Sequence, residues 1–280
     1  MKPPFTYYGG KVGMARTIVD MFPPHRVYME PFFGSGAVLF AKAPASHEIV
    51  NDLDGAIVNF FEVLRSDFAE LERVCTLTPY ARDEFVAADV DEQDLDPLER
   101  ARRFWVRVNQ SFAKTAGTNT GWSITTARTQ SPPNSVIGRL GRFAACADRL
   151  RRVTIENRDA ADLVERLATA DTLIYLDPPY SHEERSNRHA GSAGDYRVDM
   201  LGPDAHRRLA AVLRATPATV VISGYLSPLY EEMYGDWHRR DIEVVATSSN
   251  SRRSDRSGRI ERLWSNRSLV DAQGQMGCLL

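Results

Sequence analysis

Apolar residues fall into two regimes along this chain. In "RVYMEPFFGSG" and "HEIVNDLDG", and again from about residue 153 in "RRVTIENRD", "DTLIYLDPPY", "ATVVISGY" and "RDIEVVATSS", short apolar runs end at turn residues and alternate with helical patterns. That alternation predicts an open, mostly parallel α/β sheet. Between Ala56 and Leu150 the strand signals vanish. "DGAIVNFFEVLRSDFAELERVC" and "DPLERARRFWVRVNQSFAK" have helical periodicity, and the Gly-, Ser- and Thr-rich loop "TAGTNTGWSITTARTQSPPNSVIG" follows them. A helical insertion in a sheet domain is therefore expected, with residues 1–57 and 151–280 forming the sheet domain and 58–150 the insertion. "DAADLVERLATA" and "GPDAHRRLAAVLRATP" each read as a helix with an acid near its start, supplying crossovers between the later strands. The polar segment "SHEERSNRHAGSAGDYRVDM" is expected to act as a lid.

Composition narrows the class only slightly. With 280 residues, 43% hydrophobic and 26% charged, the chain is long enough for a proper core and ordinary for a globular protein. Cys75, Cys146 and Cys278 are far apart, without metal-site or disulfide spacing, so a structural role, a reducing compartment and no metal centre are expected. No run approaches the roughly 18 apolar residues of a membrane span, which points to a cytoplasmic protein without a membrane partner. The net charge of −2 hides a division. From Glu62 to Glu99 twelve acids face three arginines, whereas from Arg100 to Arg152 eleven bases face Asp148 alone. The second block is a candidate footprint for phosphates, with a solvated helix face as the bland alternative.

The candidate chemistry sits at strand ends. "YMEPFFGSGAV" places Glu30 after an apolar run, with Gly34 and Gly36 where a helix should begin, and glycine there lets a ligand approach the backbone. The dinucleotide register G-x-G-x-x-G fails because its third glycine position is Leu39. Gly-Gly-Lys at 9–11 is not a phosphate loop either, since Phe5 and Val12 occupy positions that motif requires to be glycine and serine or threonine. Asp52 ends a second apolar run, where a carboxylate can accept from ribose hydroxyls. Together these describe an adenosine-ligand pocket without a phosphate clamp.

In "DTLIYLDPPY" the carboxylate of Asp177 ends a strand, and Pro178 and Pro179 follow it in a turn whose carbonyls are not committed to a helix. A carboxylate and a neighbouring carbonyl are two acceptors, which suit the two protons of an amino group. Tyr180 offers a face on which a planar base can stack. The bland reading makes Asp177 a helix cap and Tyr180 core.

In this order, "FTYYGGK", "EPFFGSG", "NDLD", "DPPY", "VVISGY" and "RSGRIERLWSNR" resemble the motifs of the D12-class, Dam-like DNA adenine N6-methyltransferases. The resemblance covers most of the sheet portion and only loosely the middle third, where such families carry a variable target-recognition domain. It implies a Rossmann-like methyltransferase sheet with S-adenosylmethionine as cofactor. Tyr7 and Lys11 would contact that cofactor, Glu30, Phe32, Gly34 and Gly36 would surround its methionine part, Asp52 would bind its ribose and Asp159 would face its adenine, with Asp177 bordering the site. Tyr7 and Tyr8 stand where the best-known members carry tryptophan and alanine. Asp177, Pro178 and Tyr180 would be catalytic, acting on an adenine flipped out of duplex DNA.

Arg107, Asn109, Lys114, Asn119, Arg128, Arg139 and Arg142 are the expected DNA contacts, with Gln110 a further candidate and Trp122 a candidate for either DNA contact or core. The basic patch at 248–259 reads as a solvated loop rather than a base reader, with a grip on the DNA backbone as the alternative. A monomer or weak homodimer and a companion restriction endonuclease are the other expectations. Amine methylation of cytosine N4, RNA or a glutamine amide is the alternative chemistry, and a non-catalytic DNA-binding relative the alternative class.

Overall fold

The computed structural model describes residues 1–117, 120–124, 131–179, 202–244 and 259–269. Asn119, Arg128, Tyr180, Cys278, the expected lid at 181–200 and nearly all of the 248–259 patch lie outside these residues.

Strands β1 (Val27–Glu30), β2 (His47–Asn51), β3 (Val153–Glu156), β4 (Thr172–Leu176) and β5 (Thr219–Gly224) run parallel, while β6 (His238–Val244) and β7 (Arg259–Ser265) close one edge as an antiparallel pair. Among the described residues they form one seven-stranded sheet in the order β3-β2-β1-β4-β5-β7-β6. Only β7 runs against its neighbours. The expected Rossmann-like α/β architecture is the one that forms, and the strand order reverses between β1 and β4, where open α/β sheets bind ligands beyond the carboxyl ends of their strands.

Both faces of the sheet are covered, which is why its strands read as apolar runs rather than alternations. On one face Tyr28, Val50, Leu173, Tyr175, Val221 and Leu263 pack beneath α1 (Ala15–Asp20), α2 (Ala37–Ala41), α3 (Gly55–Ser66), α6 (Pro97–Gln110) and α8 (Phe143–Leu150). On the other, Met29, Ile174, Leu176, Ile222 and Trp264 pack beneath α9 (Ala160–Leu167), α10 (Pro203–Ala215) and α11 (Pro228–Tyr234). No described helix is long and apolar enough to cross a membrane.

The helical run in the middle third breaks at Asp67, whose side chain accepts from the Glu70 amide and starts α4 (Phe68–Leu77). α5 (Arg82–Ala87) and α7 (Pro132–Leu140) complete this region. The division expected at residue 58 falls inside α3, and Phe60, Phe61 and Leu64 of that helix share one core with Tyr28 and Val50 of the sheet. α8 likewise packs against α3 and β3. α3 thus belongs to the sheet's own core. An aromatic cluster makes the junction: Phe5 meets Phe60 and Phe104 edge to face at 5.1 and 5.2 Å, and Trp105 meets Phe143 in the same way at 4.9 Å.

The two glycines of "GSG" have different physical roles. Gly36 precedes α2 at φ +71°, and a Cβ there would lie 2.5 Å from the Phe33 ring and 2.9 Å from Phe40. Gly34, at φ +49°, would place a Cβ no nearer than 3.8 Å to Tyr7. Gly36→Ala is expected to lower unfolding free energy by ~2–4 kcal/mol, from overpacking and a left-handed backbone combined. Gly34→Ala is expected to cost about 1 kcal/mol, from the backbone alone. Chemical denaturation of both variants checks this, and equal losses would overturn it.

Candidate active site

The pocket at the switch point is lined by Tyr7, Tyr8, Gly9, Gly10, Lys11, Glu30, Phe32, Phe33, Gly34, Asp52, Leu53, Tyr175, Asp177 and Pro179, among others. Its acids arrive together because β1, β2 and β4 are parallel and end on one edge. Gly36 is not part of the lining. Gly36, expected beside the cofactor, is packed against Phe33 and Phe40, and the glycines that line the pocket are Gly9, Gly10 and Gly34.

The amino-terminal motif reaches this edge as a tight turn. The Gly10 amide donates to the Tyr7 carbonyl at 3.0 Å, and a Cβ on Gly10 would sit 2.9 Å from that oxygen. The turn delivers Lys11, only 6% exposed, to Asp177, with Nζ donating to Oδ1 at 2.7 Å. Ser223 of β5 hydrogen-bonds the same Oδ1 at 3.0 Å. A carboxylate only accepts, so Ser223 is the donor, and its Oγ in turn takes the proton of the Tyr175 hydroxyl, 3.1 Å away. Burial raises the Tyr175 phenol well above its ordinary range, so it stays a neutral donor. Asp177 is 19% exposed at its side chain and Pro178 is buried behind it.

Glu30 is the electrostatic anomaly of the site. It is buried and accepts from the Tyr28 hydroxyl at 2.8 Å and the Leu39 amide at 3.2 Å, both on Oε2. Complete burial pushes its carboxyl up to about 8 against those hydrogen bonds, and the nearby charge of Asp177 adds to the rise. A buried acid facing a pocket in this way fits a cationic ligand group.

Asp52 accepts from the Gly34 amide at 2.8 Å and the Asp54 amide at 2.9 Å, which orients its carboxylate over the glycine cradle. Behind it Asn51 donates to the Pro31 and Arg158 carbonyls and accepts from the Arg158 amide, joining the ends of three strands. Asp159 caps α9 through the Ala161 and Asp162 amides and pairs with Arg208 at 3.1 Å. It borders a second cavity, with Pro31, Ala160, Ala161 and Leu209, and Phe32 and Leu53 form a wall common to both cavities. The two cavities lie side by side at the carboxyl edge, Asp177 and Asp52 lining the first and Asp159 the second. Cys75 and Cys146 are buried free thiols outside it, their pKa values raised by that burial.

The expected DNA contacts fare differently, and the reason is tertiary pairing. Arg107 is buried, donating to the Phe85 and Gly117 carbonyls with its guanidinium over the Phe85 ring. Asn109 is buried between the Trp105 carbonyl and Arg139, and Gln110 between the Pro79 carbonyl and the Trp122 indole. Arg142 donates to the Pro3 carbonyl, and Lys114 to the Asn109 carbonyl. Arg102 and Arg103 pair with Glu84, Glu92 and Glu99, and Arg149 pairs with the buried Glu48. Arg107 and Asn109, expected as DNA contacts, are thus buried and hydrogen-bonded within the chain. Two arginines at the start of the basic block, Arg102 and Arg103, answer acids of the block before it.

The segment beside the pocket is the loop after α6, where the Tyr8 amide donates to the Lys114 carbonyl at 3.0 Å and Phe112 stands 68% exposed. Sequence reasoning missed Phe112, Ser223 and Tyr175. It also missed Glu261, a buried acid on β7 whose Oε1 lies 3.4 Å from Lys11 Nζ.

Comparison with known proteins gives a family and relatives. The family model of the D12 class N6 adenine-specific DNA methyltransferases matches residues 7–247. The chain is 24% identical over 277 residues to a type II methyltransferase of Lactococcus lactis subsp. cremoris, covering 93% of each chain. It is 26% identical over 267 residues to the DNA N-6-adenine-methyltransferase of Escherichia phage P1, covering 91% of this chain and 34% of the phage protein, so it spans about a third of that relative. A type II methyltransferase of Methanocaldococcus jannaschii is 27% identical over 123 residues, 41% of this chain and 39% of the relative.

The Glu30 carboxyl yields a pH dependence whose sign is fixed. With its folded pKa near 8 against an ordinary value of 4.5, the folded state holds a proton that the unfolded state has lost between those values. Its contribution is present below the ordinary carboxylate range and disappears as pH rises through about 8. Glu30→Gln is expected to flatten the fall in stability between pH 5 and 8, by roughly a few kcal/mol in unfolding free energy. Denaturation at both pH values checks this, and parallel pH dependences for variant and wild type would refute it.

Proposed function

Since the chain belongs to the D12 class of N6 adenine-specific DNA methyltransferases, we propose that it carries a methyl group from S-adenosylmethionine to N6 of an adenine swung out of duplex DNA at a specific sequence. The observation that carries this reading is the state of Asp177. One oxygen is held by Lys11 and Ser223, at the mouth of a pocket whose other acids are Glu30, Asp52 and Asp54.

The residues present fit the cofactor. Glu30 would take its amino group, Gly34 and Phe32 would border its methionine part, Asp52 would accept from its ribose hydroxyls, and the cavity beside Leu53 and Asp159 would take its adenine. Bound there, S-adenosylmethionine supplies a methyl group already activated on a sulfonium. The protein's part is then positioning and electrostatics. Adenine N6 is a weak nucleophile because its lone pair is shared with the ring. Asp177 and the Pro178 carbonyl accept from its two protons, which localises the lone pair and supports the positive charge that develops. Lys11 and Ser223 keep Asp177 an oriented carboxylate.

Extruding the base costs a few kcal/mol, and aromatic stacking returns about 1–3 kcal/mol. Tyr180 is the residue proposed for that stacking. The loop after α6, with Lys114 and Phe112, is proposed to face the duplex, because an exposed ring two residues from the Lys114 carbonyl that holds the Tyr8 amide suits insertion at a base step. The helices between α3 and α8 are proposed as the target-recognition part.

Two experiments test the reading. Asp177→Ala should lower methyl transfer by at least about a hundredfold while cofactor binding, read by calorimetry, persists. In a host without adenine methylation, mapping should find N6-methyladenine at one sequence context with the wild type and none with the variant. N4-methylcytosine as the product, or near-normal transfer by the variant, would sink it. Wild-type binding of the cationic cofactor near pH 7 should also release about one proton, from Glu30. Calorimetry in buffers of different ionisation enthalpy reads this, and no release would remove Glu30 from its assigned role.

A further inference from the structure

The carboxyl edge also holds a buried acid, Glu261, that the reading above does not use. It is 2% exposed and is not part of the pocket lining, so it stands behind Lys11 rather than beside a ligand. β7 runs antiparallel to β5, pairing Leu263 with Ser223 and Arg262 with Gly224. The beginning of β7 therefore lies at the edge where β4 and β5 end. Alternation along the strand puts Glu261 on the same face as Leu263.

There the oxygens near the Lys11 ammonium include Asp177 Oδ1 at 2.7 Å, Gly9 O at 3.3 Å and Glu261 Oε1 at 3.4 Å. An ammonium has three protons to direct. With Asp177 as the sole carboxylate, the cation could follow that side chain wherever it moved, and a second buried carboxylate on a rigid strand pins it from behind. We propose that Glu261 is a positioning residue for methyl transfer: by anchoring Lys11 it fixes Oδ1 of Asp177, so that the other carboxylate oxygen faces the substrate amine. This rests on the reading of Asp177 as the acceptor of that amine.

The arrangement predicts a kinetic signature that a purely structural residue lacks. The titratable groups around Lys11 among the described residues are Asp177, Glu261 and the hydroxyls of Tyr175, Tyr7 and Tyr8, with Glu30 beyond Asp177. Glu261→Gln removes one of the carboxylates holding the lysine proton. The alkaline limb of the kcat profile should move to lower pH by about one unit or more. At neutral pH kcat should fall roughly ten- to hundredfold, the usual cost of loosening a supporting shell, with KM for the cofactor little changed. Glu261→Asp keeps the charge, and should restore the alkaline limb while recovering kcat only in part.

The test is single-turnover methylation of duplex DNA across pH by wild type, Glu261→Gln, Glu261→Asp and Asp177→Asn, with thermal unfolding on the same samples. If Glu261→Gln does not fold, Glu261→Asp carries the test, and wild-type kcat and pH profile in that variant would overturn the proposal. Wild-type kcat and a superimposable pH profile in Glu261→Gln, with Asp177→Asn inactive, would overturn it while leaving the Asp177 reading intact. Full activity in Asp177→Asn would instead remove the reading on which it rests.

Discussion

The contact between Lys11 and Asp177 joins parts of the chain 166 residues apart, and the geometry of the candidate site depends on it. Leaving an ammonium that is 6% exposed without a partner would cost several kcal/mol, so its neighbours are not optional. The pair locks the amino-terminal turn onto the end of β4. Phe5, just before that turn, is held by Phe60 of α3 and Phe104 of α6. The turn is thus clamped between the sheet edge and the helices leading to the loop that carries Phe112 and Lys114. A movement of that loop would be felt at Tyr8, whose amide donates to the Lys114 carbonyl, and so at the edge of the pocket.

Much of this site was legible because strand parity is simple physics. Along β1, β4, β5 and β7, residues on one face of the sheet run Tyr28 then Glu30, Tyr175 then Asp177, Val221 then Ser223, and Glu261 then Leu263. In β1, β4 and β5 a buried apolar or aromatic residue is followed, at the carboxyl edge, by a polar one, and in the reversed β7 the polar residue comes first. Glu30 and Asp177 stood out because turn motifs flank them. Ser223 and Glu261 carried the same signal, a polar residue at an inward position of an otherwise buried strand, without a motif to draw attention to it.

The target-facing residues were less legible, because a charge count along the chain ignores which charges meet in space. The acids of 62–99 and the bases after Arg100 looked like opposite surfaces. They are partly two sides of one interface, as Arg102 and Arg103 with Glu84, Glu92 and Glu99 demonstrate. Near its end α6 is buried on all sides from Phe104 to Gln110, so polar residues there must satisfy backbone carbonyls and one another. Arg107, Asn109 and Gln110 do so. An amphipathic pattern would have flagged a surface; a helix end enclosed all round turns the same residue types into internal braces.

The reversed direction of β7 gives the sheet a property that an all-parallel one would lack. A parallel strand beside β5 would bring its last residues to the carboxyl edge and send its first to the far side. Antiparallel pairing with both β5 and β6 brings the first residues of β7 there instead, and the pairing on both sides fixes their register. A slip of one residue would turn Glu261 to the opposite face and put Arg262 toward Lys11, a like charge in place of an opposite one. Burial of Leu263 and Trp264 in separate cores, one on each face, opposes that slip. The hydrophobic packing of the sheet's last hairpin therefore also sets the sign of the charge behind Lys11.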